Sequence, residues 1–425
     1  MIKRSFFSLA GPKLTYPILT ARPVAPVEIP IPERAQVILN RYFTGPMGLR
    51  IGDNVRTGQR IEFKGEDQGY FVSPVTGSVT GISAANGYMG KNLTAISIRV
   101  AAQDVWDEEF RLSEQLPEEE RAARFLYSLP GQPDFGFIAG LRGSLKTIVV
   151  CGPDKDLLVS TGAYVVKNRM DELKKGFAIL RKLFDKSRIL FVLPEEQRIE
   201  GAVDGIEVKG LPAIYPQFFP ALIMKKVLGI ELPTGVSCDE MGVGFISAEA
   251  VAELGNAFSL GRVPVDKIVT VIKKDCSIVH VKARIGTPVK DLLDTLKIET
   301  GKGDRLIAGG PMAGITLDSA DAPVTADTDA VMVQDAGQAP IISDNHCVNC
   351  GECVRVCPAN VPVNMLIRVL ENRLYDEAVR AYDLLSCIEC GLCTYVCTAA
   401  IPIFHYVMLG KYEYDRARSA EVQNA

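Results

Sequence analysis

Eight of the eleven cysteines in this 425-residue chain fall between Cys347 and Cys397. They form two runs, Cys347-Val-Asn-Cys350-Gly-Glu-Cys353-Val-Arg-Val-Cys357 and Cys387-Ile-Glu-Cys390-Gly-Leu-Cys393-Thr-Tyr-Val-Cys397. Both have the C-x₂-C-x₂-C-x₃-C spacing that ligates [4Fe–4S] clusters. Three thiolates two residues apart wrap around three iron corners of a cubane. The fourth, three residues further on, turns away and ligates the other cluster in two-cluster proteins. The spacing therefore assigns Cys347, Cys350, Cys353 and Cys397 to one cluster, and Cys387, Cys390, Cys393 and Cys357 to a second. Gly351 and Gly391 follow the second cysteine of each run, where a side chain would crowd the turn around the metal. Thr398 stands where the first run has Pro358, which removes no ligand. A zinc site takes four ligands in two pairs, whereas each run here offers four cysteines at cubane spacing.

Something must hold these loops together. In the 29 residues from Pro358 to Ser386, Val363, Leu366, Ile367 and Leu370 recur with helical period, as do Leu374, Ala378 and Tyr382. Two short helices are predicted between the runs, an α-helical arrangement rather than a small β-rich one. Two clusters that share cross-ligands sit close together, so electrons can pass directly between them.

The rest of the chain bounds the setting. Apolar residues make up 47% and charged residues 23%, the mixture of a globular protein. The net charge of -4 provides no basic field for nucleic acid. No apolar run approaches the roughly 20 residues needed to cross a bilayer, and the segment Met1 to Leu14 lacks the apolar core of a secretory signal. A cytoplasmic location is expected. Cys151, Cys238 and Cys276 are scattered singly and read as inert buried thiols.

Changes in pattern divide the chain. Residues 1–45 are rich in proline (Pro12, Pro17, Pro23, Pro26, Pro30, Pro32) and read as an extended arm. Residues 46–103 carry short β-type runs between glycine turns, a compact all-β unit. Residues 104–262 open on an acidic helix and linker. Strands (Thr147 to Cys151, Ile189 to Leu193) then alternate with helices (Arg169 to Phe184, Ser247 to Phe258), an α/β layer with a parallel sheet. Residues 263–340 mix strands, a helix from Pro288 to Leu296, and a glycine turn at Gly309 to Gly314 that either cradles a ligand or is simply tight. Residues 341–425 hold the cysteine runs. His280 reads as a core or surface residue, His346 as a surface residue or a donor to a cluster sulfur, and His405 as part of a packed helix.

The phrases "GDNVRTGQRI" and "SPVTGSVTGI" resemble those of biotinyl/lipoyl-type barrel-sandwich domains. Such domains present a modified lysine in a tight turn; Met89-Gly90-Lys91 has the wrong local pattern, and a structural module is expected. The order barrel sandwich, Rossmann-like α/β domain, β-grasp (SLBB-like) domain and α-helical ferredoxin domain is similar to that of the C subunit of the Rnf electron-transport complex. So are the phrases Arg305-Leu306-Ile307-Ala308-Gly309-Gly310-Pro311-Met312 and Cys387-Ile388-Glu389-Cys390-Gly391. The A subunit of the sodium-pumping NADH:quinone reductase is similar in the first three domains but lacks the clusters.

The Rnf resemblance implies an iron–sulfur electron-transfer subunit, peripheral on the inner face of the cell membrane. It implies docking on integral membrane subunits of an ion-translocating redox complex. It also implies electron exchange with a ferredoxin or cytochrome partner, and with NADH through FMN. In the α/β domain the chain departs from that pattern. The stretch Leu129 to Phe137 is too sparse in glycine for a phosphate loop, which needs close approach of backbone N–H groups. Asp154 and Asp156 keep the spacing of the family's acidic pair and are the cofactor-binding candidates, the alternative being a solvated loop. Tyr215-Pro216-Gln217 is followed by Phe218-Phe219-Pro220 where glycines would admit a cofactor. The FMN/NADH pocket is therefore expected to be lost or altered. Two other functions stay open: an FMN-dependent NADH dehydrogenase component, and a scaffold with structural clusters.

Overall fold

The computed structural model describes residues 12–19, 24–39, 48–63, 69–197, 203 and 205–424. Pro23, the boundary expected at Pro46 and most of the Met1 to Leu14 segment lie outside them. The chain is a multidomain α/β protein ending in a small helical, cysteine-bearing unit.

An antiparallel sheet comes first, in the order Arg34–Leu39, Asn92–Val100, Gly77–Asn86, Asn54–Val55, with a hairpin of Arg60–Glu62 and Tyr70–Val72 beside it. Alternation buries Ala35, Val37, Val79, Ile96 and Ile98 on one face. Strand Arg34–Leu39 lies ahead of the boundary expected at residue 46. Part of the arm is thus sheet, because its alternating apolar residues have a partner face to cover. The turn between the two long strands holds Tyr88–Gly90, with Met89 and Gly90 at positive φ and Lys91 exposed.

The second sheet is wholly parallel, in the order Glu207–Leu211, Arg188–Pro194, Thr147–Cys151, Val243–Ser247. Its two central strands, Thr147–Cys151 and Arg188–Pro194, are near-continuous apolar runs because both faces are covered, whereas the edge strand Glu207–Leu211 is more polar. Helices Met170–Leu183 and Ala248–Leu260 pack together on one face, so closely that Gly176 and Gly255 meet backbone where a Cβ would stand. Ser247 caps the second helix by accepting from the Ala250 N–H.

The third sheet has six strands, in the order Val27–Glu28, Ile278–Arg284, Asp266–Ile272, Ala330–Gln334, Arg305–Ala308, Ile315–Thr316. The arm supplies its edge strand, Val27–Glu28. Lys267 is fully buried between the second and third units and pairs with Glu249 and Asp329.

The last unit holds helices Glu352–Arg355, Val363–Glu371, Tyr375–Tyr382, Leu392–Val396 and Ile403–Asn424. The two helices predicted between the cysteine runs are Val363–Glu371 and Tyr375–Tyr382. Their apolar faces bury Leu366, Ile367, Leu370 and Ala378 in one core with Ile401, Ile403 and Val407.

Candidate iron–sulfur site

The two cysteine runs fold alike. The residue before each second cysteine has positive φ (Asn349 54°, Glu389 60°), and so does the glycine after it (Gly351 75°, Gly391 72°). A short helix then starts at Glu352 or Leu392 and carries the third cysteine inward. Left-handed residues on either side of the second cysteine bend the backbone of each run sharply around its thiols.

The eight thiols line two chambers. One is bounded by Cys347, Cys350, Cys353 and Cys397, with Asn364, Ile367 and Ile401. The other is bounded by Cys357, Cys387, Cys390 and Cys393, with Val363, Leu366 and Phe404. The fourth cysteine of each run thus stands with the other run, the partition that the spacing predicts. Neighbouring residues of helix Val363–Glu371 face the two chambers, Val363 and Leu366 one and Asn364 and Ile367 the other, so the chambers adjoin. Among the described residues, no three His, Cys, Asp or Glu side chains converge as a single-ion site requires.

Polar hydrogens point at the sulfurs. The Glu389 N–H reaches Cys387 Sγ at 3.4 Å, the Ile401 N–H reaches Cys397 Sγ at 3.4 Å, and the Thr398 hydroxyl reaches Cys350 Sγ at 3.5 Å. Burial pushes the Cys353 thiol up to about 11 and Cys390 up to about 12, and raises Cys387 and Cys393 as well. A metal that binds here as thiolates must displace those protons. The donor set, the turns and the N–H groups fit [4Fe–4S] clusters.

The surroundings of the chambers differ. Cys350 is exposed, and Val348 beside it is 66% exposed. Cys390 is buried against the parallel-sheet unit, and its carbonyl accepts from the Tyr215 hydroxyl at 2.6 Å. Gly391 lies on the Met312 carbonyl, and Lys411 Nζ bridges the Cys387 carbonyl and Glu389 at 2.7 and 2.6 Å. Sequence reasoning missed Tyr215 as a neighbour of the cysteines, because 175 residues separate the two partners and no local signal joins them.

Asp154 and Asp156 do not form a solvated loop. Asp156 is buried and accepts from the backbone N–H groups of Leu157, Met312 and Ala313 at 2.7, 3.1 and 2.9 Å. The glycine turn at 309–314 therefore cradles a side chain of this chain. Asp154 accepts from the Gly162 N–H at 2.8 Å. Burial, with Asp329 nearby, pushes it up to about 8.

A cavity of about 350 Å³ opens at the carboxyl ends of strands Thr147–Cys151 and Val243–Ser247, the usual ligand position in such sheets. Its walls include the carboxylates Asp134, Asp154, Asp239, Glu249 and Asp329. The nearby glycines offer no open cradle: a Cβ at Gly131 would meet Ser247 and Glu249, one at Gly152 Leu193, and one at Gly162 the Gly152 carbonyl. With five carboxylates against one basic side chain, Lys155, and without such a cradle, the lining does not fit a flavin phosphate. Phe218 and Phe219 are buried in the core. Phe218 also forms the cavity wall and packs on Tyr16, centroids 5.0 Å apart, which packs on Tyr215 at 5.5 Å. His280 meets the Ser160 hydroxyl at 2.9 Å and packs against the Tyr164 ring in a tilted pair, and His346 is exposed. The buried-thiol expectation is corrected: Cys276 is exposed at positive φ in the turn between two strands, and Cys151 and Cys238 are half-buried in the cavity wall.

A profile described as a 4Fe–4S dicluster domain matches residues 339–398. Among curated proteins, the chain is 26% identical over 366 residues to the C subunit of the ion-translocating oxidoreductase complex of Pectobacterium carotovorum subsp. carotovorum (strain PC1), covering 79% of this chain and 48% of that protein. It is 26% identical over 365 residues to the protein of the same name from Pseudomonas aeruginosa, covering 80% and 47%. The chain spans about half the length of these curated relatives. A solved structure, NAD+-reducing [NiFe]-hydrogenase in the H2-reduced state, aligns with TM-score 0.44 and 10% identity over 70% of this chain and 62% of that one. That likeness is too slight to fix even the fold. Among the described residues no helix is long and apolar enough to cross a membrane. The chain is thus similar over about four fifths of its length to C subunits of ion-translocating oxidoreductase complexes, and its residues 339–398 match a 4Fe–4S dicluster domain.

Proposed function

We propose that this chain is an iron–sulfur electron-transfer component of an Rnf-like ion-translocating oxidoreductase complex. Two [4Fe–4S] clusters held in the two chambers would supply one-electron transfer. The observation that carries the reading is the crossed partition of eight thiols into two adjoining chambers. Cys347, Cys350, Cys353 and Cys397 ligate the outer cluster; Cys357, Cys387, Cys390 and Cys393 ligate the inner one. The inner chamber faces the parallel-sheet unit through Tyr215 and the six-stranded-sheet unit through Met312, and the outer chamber faces solvent through Cys350 and Val348.

In this reading residues 46–103, with strand 34–39 added, form a barrel-sandwich domain, and 104–262 form a Rossmann-like domain. Residues 263–340 form a β-grasp domain, and 341–425 an α-helical ferredoxin domain. The names of the relatives support membership of a multisubunit ion-translocating oxidoreductase complex, and the proposal adds docking on integral membrane subunits at the inner face of the membrane, with a redox protein as donor or acceptor. Flavin and NADH are not assigned to this chain, because the acidic lining and filled glycines disfavour a phosphate. Stepwise anaerobic reduction followed by electron paramagnetic resonance tests the proposal. Two one-electron steps with signals broadened by each other are expected from adjoining chambers. A single unbroadened signal contradicts it.

A further inference from the structure

We infer that Tyr215 and Asp156 are positioning residues for the inner chamber alone, a latch that sets its reduction potential from outside the cysteine runs. The inference rests on the two-cluster reading above. Tyr215 donates to the carbonyl of Cys390 at 2.6 Å from a buried position. Asp156 accepts from Met312 and Ala313 at 3.1 and 2.9 Å. It thereby fixes the turn whose Met312 carbonyl lies against Gly391. Successive residues of the ligand loop are thus gripped from the two sheet-bearing units. The outer loop has no counterpart at Gly351, where a Cβ would meet nothing within 4 Å.

Hydrogen bonding and charge around the sulfurs are the protein's means of tuning a cluster. The Tyr215 hydroxyl turns the positive end of its dipole towards the loop, which favours the reduced, more negative state. The Asp156 carboxylate acts in the opposite sense. At the outer chamber a different side chain stands in a comparable place: Thr398 donates to Cys350 Sγ at 3.5 Å.

The test is an anaerobic potentiometric titration of the full-length chain, with iron counted in every sample. Tyr215→Phe keeps the ring that packs on Tyr16 and Phe219 and should lower one midpoint while leaving the other in place. Asp156→Asn should raise that same midpoint. Thr398→Val should lower the other one, which identifies the outer cluster. Loss of only half the iron in Tyr215→Phe also supports the latch, and Asp156→Asn then supplies the potential. With two clusters present in the wild type, midpoints unmoved in both variants, or both midpoints moving together, overturn the latch and leave the cluster reading standing. An iron-free wild type overturns both.

Discussion

The two chambers are made from almost the same run of residues, with the same pair of left-handed positions and the same short helix behind them. They differ in what the rest of the chain sets against them. The inner loop is held by Tyr215, Met312 and Lys411, and its Cys390 is buried. The outer loop leaves Cys350 and Val348 at the surface. The loop conformation is therefore a local property of each run, whereas orientation, inward or outward, comes chiefly from residues far off in the chain.

Deleting ligands breaks this comparison most severely. On the proposal of one cluster per chamber, Cys390→Ala and Cys350→Ala should each remove about half of the iron. Cys357→Ala should leave the same residual spectrum as Cys390→Ala, and Cys397→Ala the same as Cys350→Ala. If instead Cys357→Ala matches Cys350→Ala, the crossed partition is wrong.

Glycine substitution sharpens it. Alanine at Gly391 would be strained at φ 72° and would drive its Cβ into the Met312 carbonyl, an expected cost of about 2–5 kcal/mol. Alanine at Gly351 carries only the backbone strain, about 1–2 kcal/mol. Urea titrations followed by the cluster absorbance should order the two variants this way.

The cavity beside the inner chamber adds a pH dependence. Asp154 is pushed up to about 8 by burial and by Asp329, so the folded chain keeps a proton that the unfolded chain has released. Stability should accordingly fall as pH rises from about 4 to about 8, with a limiting slope of about 1.4 kcal/mol per pH unit. Denaturant midpoints across that range should show the slope, and Asp154→Asn should flatten it.

The smallest effect is expected at Lys411. Lys411→Met removes a partly buried ion pair with Glu389 at 2.6 Å and a bond to the Cys387 carbonyl, for about 1 kcal/mol. A change confined to the inner cluster's thermal loss is the expected readout.

The cysteine runs were legible because cubane ligation constrains neighbours in sequence; that these thiols are the ligands is the proposal, which the two chambers they line support. The strands Thr147–Cys151 and Arg188–Pro194 were legible as apolar runs, and helix Val363–Glu371 as a periodic one. Sequence patterns could not show that Val27–Glu28 would join a sheet about 250 residues away, or that Asp156 would hold the 309–314 turn. Both depend on long-range contacts between units, for which local patterns carry no signal. The acidic spacing at Asp154 and Asp156 left a cofactor site and a solvated loop both open, because backbone N–H groups that Asp156 accepts from lie far along the chain, at Met312 and Ala313.

Iron and acid-labile sulfide, counted together on the full chain purified without oxygen, test the two-chamber account most directly. About eight of each per chain is the predicted result. A chain carrying zinc in place of iron, or only half that iron with every cysteine intact, would contradict it.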